Sequence, residues 1–283
     1  MNRLTLAASL AALAACGPMT ATPDSGTHAH QDVTQLTFKA KVGTQDFACG
    51  TTYQVGTPQT QYKPRDFRLY LHDVVLTSED GKEVSFVLSD DGTFQRQGVA
   101  LLDFENKAGD CSNGTEATNT VLKGSAAGGH YTKLTFTLGV PFEQNHQDAA
   151  AAQAPLNSTA MFWNWMGGYK FLKIDGLTTG LPMGHNLHVG STGCTAGATP
   201  NSVASCSNTN RVRVTLDFNP ELNTVVMDLA SLLEGSNLDT NLAMSAPGCM
   251  SAPTDTDCAT VFSKLGLPFG GAAAGPQVFF KVQ

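Results

Sequence analysis

Phe67-Arg-Leu-Tyr-Leu-His-Asp-Val-Val-Leu76 leads into Ser78-Glu-Asp-Gly-Lys82 and returns as Glu83-Val-Ser-Phe-Val-Leu88. The β-branched and aromatic residues of the two runs suit a pleated surface, and Asp80-Gly81 is a dipeptide that tight hairpin turns favour. The reading is strand, turn, strand. Working outward, Thr34-Gln-Leu-Thr-Phe-Lys-Ala-Lys-Val42 and Tyr131-Thr-Lys-Leu-Thr-Phe-Thr-Leu138 alternate apolar with polar at period two, as half-buried strands do. Val99-Ala-Leu-Leu-Asp-Phe104 reads as a short strand and Asp90-Asp91-Gly92 as a turn. Residues 171–174, 185–189, 211–218, 224–229 and 278–282 complete the set of strands. Helix is sparse: residues 229–234, residues 258–265 stopped by Gly266, and a short helix capped by Asn157 that runs into residue 162. The expected fold class is all-β, a single-domain β-sandwich-like fold with long disulfide-pinned loops and little helix.

The first residues set the expected compartment. Arg3 precedes a short apolar run over residues 4–15, too short to span a bilayer, so residues 1–15 read as a lipoprotein signal peptide. Leu13-Ala14-Ala15-Cys16-Gly17 has the small residues before cysteine of a lipobox, which makes Cys16 the expected lipidation site. Residues 16–35 read as the lipidated cysteine and a flexible tether carrying His28 and His30, and residues 36–283 as one folded domain. The expected location is the periplasmic face of a membrane or the outer membrane, lipid-anchored. A net charge of −7 argues against nucleic acid as partner. Beyond Cys16 the chain has Cys49, Cys111, Cys194, Cys206, Cys249 and Cys258. An even number in an exported chain implies disulfides, and no C-x₂-C spacing suggests zinc. Sequence proximity favours Cys194–Cys206 and Cys249–Cys258, each closing a loop rich in small and polar residues, which leaves Cys49–Cys111.

Both tryptophans fall in Phe162-Trp163-Asn164-Trp165-Met166-Gly167-Gly168-Tyr169-Lys170-Phe171. On a strand they would share a face; on a helix they would point about 200° apart. The plainest reading is an aromatic core strand. Imidazole suits copper and zinc, and His72, His130, His146, His185 and His188 all lie within the folded part. His185 and His188, three apart, would take opposite faces of a strand. There is no Gly-x-Ser-x-Gly elbow, and Gly270-Gly271 lacks the strand–loop–helix context of a phosphate cradle.

Several motifs in order carry a resemblance. Ala100-Leu-Leu-Asp-Phe-Glu105, Gly139-Val-Pro-Phe-Glu-Gln-Asn-His146, Ala154-Pro-Leu-Asn157, Met161-Phe-Trp-Asn-Trp-Met-Gly-Gly-Tyr-Lys-Phe171, His188-Val-Gly-Ser-Thr-Gly-Cys194 and Pro247-Gly-Cys-Met-Ser-Ala-Pro-Thr-Asp-Thr-Asp-Cys258 resemble the MbnP family, from about residue 34 to 266. These are the four-Cys proteins of metallo-mystery pairs. The resemblance implies copper as the bound metal and an MbnH/MauG-like dihaem cytochrome c peroxidase-family protein as partner. It also implies oxidation of the first Trp of the W-x-W motif, here Trp163, to kynurenine, on which copper binding depends. Ring opening turns an indole N–H without a free lone pair into an aniline nitrogen that can ligate. Trp165 would then be a packing neighbour or an electron relay. Within the family-like motifs the expected metal ligands are Trp163, His146 and His188, with His72 a further one. Met166 stands where the family pattern suggests a polar residue. Met161, Met166, Met183 and Met250 offer soft sulfur to Cu(I).

The reading is an exported copper-binding protein of copper homeostasis that is not an enzyme. The alternative is a surface β-sandwich lipoprotein that binds a protein or glycan through an aromatic platform. A metal-dependent hydrolase built on His185 and His188 lacks a named general base.

Overall fold

The computed structural model describes residues 31–283. The signal-peptide and lipidation readings at residues 1–15 and Cys16, with His28 and His30, lie outside the described residues.

The Asp-Gly hairpin forms, but the return strand read as residues 83–88 is split: Val87–Leu88 leaves it to pair with Val121–Ala126 in the second sheet. Thr60–Ser78 is a long strand, Glu83–Ser85 pairs antiparallel with its end, and Gly81 between them takes φ 82°. That long strand is the spine of the larger sheet. Tyr131–Leu138 pairs with its C-terminal half, Val99–Asp103 with its middle and Leu172–Thr178 with its N-terminal half; His185–Val189 then continues the sheet beyond Leu172–Thr178. The second sheet is built on Val33–Val42, which runs parallel to Val225–Asp228 and antiparallel to Val121–Ala126. The two sheets face each other across one apolar core, where Phe38 meets Phe136 at 5.8 Å between ring centroids and Phe136 meets Phe280 at 5.0 Å. The architecture is an all-β, sandwich-like fold. Among the described residues no helix is long and apolar enough to cross a membrane.

The outer face of the larger sheet is also covered. Residues 141–171 cross it and bury a second, smaller apolar cluster in which Tyr70, Leu101, Met161, Tyr169 and Phe171 meet. Tyr70 and Tyr169 pack edge to face at 5.7 Å, and the Tyr70 hydroxyl donates to the Pro155 carbonyl at 2.8 Å. Buried phenols need such partners. This arrangement explains why the long strand reads apolar on both faces, a pattern that alternation cannot resolve.

Two of the expected helices form as read, and a further single turn, Phe142–Asn145, was not foreseen. Leu229–Leu233 is capped by the Asp228 carboxylate, and Ala259–Leu265 ends at Gly266 with φ 80°. The short helix before the tryptophans is a 3₁₀ turn at Thr159–Met161 with Ser158, rather than Asn157, at its N-cap, and no side chain caps it. A single turn held between packed strands does not need a cap to persist.

The disulfides are Cys49–Cys111, Cys194–Cys206 and Cys249–Cys258. The segment between Cys194 and Cys206 differs from the expected loop. Thr192–Ala196 and Val203–Asn208 form a two-stranded hairpin in which Cys194 sits directly opposite Cys206. Its small residues hid the strands, because they carry little β preference.

Candidate functional site

The tryptophan segment is a hairpin, and only part of it is strand. Phe162–Asn164 pairs with Gly168–Tyr169, and Trp165, Met166 and Gly167 make the turn. Trp163 is therefore on the strand while Trp165 is not, and both are half-buried. The core positions fall to Met161, Tyr169 and Phe171. Asn145, fully buried, holds the hairpin to residues 141–146: its Oδ1 accepts the Tyr169 N–H at 2.9 Å.

Trp163 lies over the edge of the larger sheet, against His188. Their ring centroids are 6.5 Å apart with planes inclined at 52°. Beside them opens a cleft of about 600 Å³ lined by Trp163, Asn164, Met166, Gly167, Cys194 and Met250, among others. The Trp163 ring packs against the backbone of Gly190. Gly190 donates its N–H to the Ser251 hydroxyl at 3.1 Å and accepts the Asn210 amide at 2.8 Å, and Ser251 donates to the His188 carbonyl at 2.8 Å. Ser251 arrives there because Gly248–Cys249 pairs parallel with Asn186 and Leu187.

Beneath His188 runs a buried row of charges. Arg68, Lys173 and His188 are in cross-strand register, on the face opposite Leu69, Leu172 and Leu187. The His188 Nε2–H donates to Asp175 Oδ1 at 2.7 Å, and Lys173 Nζ donates to Asp175 Oδ2 at 2.6 Å and to Asp66. Arg68 closes the row with a bidentate pair of bonds to Asp66. All five side chains are nearly inaccessible. Burial works against the Asp175 carboxylate, yet its bonds from His188 and Lys173 hold it well below the usual carboxylate range. Burial also pushes His188 down, against the opposing pull of Asp175. His188 Nδ1 is buried and has no hydrogen-bond partner among the described residues.

The other histidines are placed elsewhere. His146 Nδ1–H donates to the Trp165 carbonyl at 3.0 Å, so its Nε2 lone pair accepts from Asn145 Nδ2 at 3.1 Å and lies 3.5 Å from Cys206 Sγ. The His146, Cys194 and Cys206 donor atoms lie within 4.8 Å of one another, but the two sulfurs are bonded to each other and supply no thiolate. His72 is not brought to Trp163. It lies four residues along the long strand from Arg68, about 13 Å at strand rise, and its Nδ1 is 3.0 Å from Asp73 Oδ2. His185 is buried and, three residues from His188 on one strand, takes the opposite face. Of the methionines, Met166 and Met250 line the cleft, Met161 is buried and Met183 is exposed.

A metal fits this arrangement through its donor chemistry. A neutral imidazole whose far nitrogen is fixed by a carboxylate and whose near nitrogen is bare is the usual form of a metal-bound histidine. Trp163 and His188, both expected ligands from the sequence, are neighbours in the fold, whereas Asp175, Lys173, Asp66, Arg68, Gly190 and Ser251 around them were given no part by it. The alternation Asp66-x-Arg68 and Lys173-x-Asp175 was visible; that a covering segment buries it was not.

Comparison with known proteins agrees with the resemblance. A family model described as MbnP matches residues 31–251. The solved structure of MbnP from Methylosinus trichosporium superposes with a TM-score of 0.77 at 30% identity, covering 89% of this chain and 98% of that one. No curated protein matches the chain. With a family match over most of its length and a fold shared almost end to end, the chain belongs to the MbnP family.

Proposed function

We propose that this protein is an exported copper-binding protein of copper homeostasis, itself without catalytic activity, in which Trp163 is oxidised to kynurenine by an MbnH/MauG-like dihaem partner. Lipidation at Cys16 would hold it at the periplasmic face of a membrane or at the outer membrane. The observation that carries the reading is the bare, buried Nδ1 of His188, on a ring 6.5 Å from that of Trp163, which itself lines an open cleft. An aniline nitrogen at position 163 and this imidazole nitrogen would be the principal donors, with the Met166 and Met250 thioethers within the same cleft. His146 would join only by giving up its bond from Asn145.

The conversion balances as cleavage of the indole C2–C3 bond with one oxygen atom added to each carbon, supplied by one dioxygen or by two hydrogen peroxides that leave two waters, followed by hydrolytic loss of the formyl group as formate. The net change is one carbon out and one oxygen in. The cleft leaves Trp163 half-exposed, which suits long-range oxidation by a docked haem protein.

The test is peptide mass spectrometry across residues 161–170 of protein made with its partner, with copper measured in the same sample. Kynurenine at position 163 together with bound copper, both lost in Trp163→Phe, is the expected result. Copper held equally well by Trp163→Phe sinks the role of Trp163. Unmodified Trp163 without metal favours an aromatic platform for a protein or glycan.

A further inference from the structure

We infer that Asp175, backed by Lys173, is the positioning residue of the site: it fixes His188 as the Nε2–H tautomer and leaves Nδ1 as the donor atom. Three features of the structure carry this. The Asp175 carboxylate spends one oxygen on His188 Nε2 at 2.7 Å and the other on Lys173 Nζ at 2.6 Å, so it acts as acceptor on both sides and the imidazole nitrogen must donate. His188 is only 5% exposed, and its Nδ1 meets no donor or acceptor among the described residues. Leaving a buried polar atom unpartnered costs roughly 1–3 kcal/mol, so an orphan lone pair on a ring 6.5 Å from that of Trp163 calls for a ligand.

The row behind Asp175 makes the arrangement stiff. Lys173 is shared between Asp175 and Asp66, and Asp66 is itself clamped by the two-pronged bond from Arg68. All of these side chains stand on paired strands, where cross-strand register fixes their spacing. Ser251 holds the His188 carbonyl from the other side. The imidazole therefore has its ring plane and its protonated nitrogen fixed before any metal arrives. That pre-arrangement lowers the cost of binding.

The inference depends on the copper reading only in naming what Nδ1 would hold, and the test separates the two. Long-range ¹H–¹⁵N correlation on histidine-labelled, metal-free protein reads the tautomer directly; a protonated Nε2 and bare Nδ1 at His188 are expected. In Asp175→Ala, Lys173 keeps Asp66 as its counterion, and His188 should become a mixture of tautomers. After maturation with the partner, the Asp175→Ala protein should bind Cu(II) about 10- to 100-fold more weakly, with an altered nitrogen hyperfine pattern. A merely structural role would lower the melting temperature and leave tautomer and spectrum alone. An Nδ1–H tautomer in the wild type overturns the inference, as does a folded Asp175→Ala that keeps a single Nε2–H tautomer and the parental copper spectrum. Should that variant fail to fold, the wild-type tautomer still decides. Wild type with the expected tautomer but no copper overturns the copper reading and upholds the positioning role of Asp175.

Discussion

The six-membered ring of Trp163 occupies the space that a side chain on Gly190 would need. A Cβ built there would lie 2.5 Å from Trp163 Cζ3, 2.9 Å from Cη2 and 2.7 Å from the Tyr169 carbonyl oxygen. Gly190 is thus what lets the indole pack against the backbone just past the His185–Val189 strand. Its backbone is fastened by Ser251 and Asn210, so it has little room to retreat. Gly190→Ala should push the indole toward the cleft and destabilise the domain by about 1–3 kcal/mol, the usual cost of overpacking. Urea unfolding followed by tryptophan fluorescence measures both effects, and an unchanged emission maximum would contradict the displacement.

Removing the Lys173 charge should cost more than removing an ordinary surface charge. Lys173→Met leaves Asp66 with Arg68 alone and Asp175 with His188 alone, in a site water barely reaches. Breaking a buried ion pair from one side typically costs about 3–5 kcal/mol. Chemical denaturation should register a loss of that order, whereas Lys264→Met, at the exposed Lys264–Glu234 pair, should change little.

Asp103 should supply one contribution to stability that falls as pH rises across neutrality, opposite in sign to that of the buried histidines. Burial pushes this carboxyl up to about 8 despite the nearby Arg68 guanidinium, whereas an unfolded aspartate titrates near about 3.9. Between those values the native state binds a proton that the unfolded chain has lost. The contribution is fully present below about pH 4 and is lost as pH rises toward about 8, with a slope of at most about 1.4 kcal/mol per pH unit. The stability difference between wild type and Asp103→Asn should therefore shift in favour of the variant as pH rises, which thermal melts of both between about pH 5 and 8 would show.

The disulfides should contribute unequally. Cys49–Cys111 spans 62 residues and Cys194–Cys206 spans 12. Loop-closure entropy then predicts losses of about 4 and about 3 kcal/mol on paired replacement by alanine. The shorter bridge also borders the Trp163 cleft, so the Cys194→Ala/Cys206→Ala protein should show altered Trp fluorescence as well. Equal melting temperatures for the two double variants would contradict the entropic ranking.

Much of this fold could be read from residues alone. Alternation at Tyr131–Leu138 and the Asp80-Gly81 turn fixed strands because side-chain period and turn chemistry are local properties. The bridges Cys194–Cys206 and Cys249–Cys258 followed from closeness in sequence. Alternation failed at the Cys194–Cys206 hairpin, whose small polar residues carry no period, and at Trp165, where the glycine pair ended the strand sooner than the aromatic run suggested.

The site divides along the same line. Residue type marked Trp163 and His188, since indole and imidazole keep their chemistry wherever the chain takes them. Which of the five histidines in the folded part stands beside Trp163 was settled by register: Leu172–Thr178 lines up Lys173 with His188 on one side and with Arg68 on the other. That alignment joins residues more than 100 positions apart, as Lys173 and Asp66 are. Burial was settled by residues 141–171 crossing a sheet face that alternation would have left to water. Sequence determined the candidate donors and many of the strands, because both are written in side-chain chemistry and local spacing. Tertiary structure decided which donors meet and which nitrogen stays bare, because pairing register and desolvation exist only once distant strands have packed.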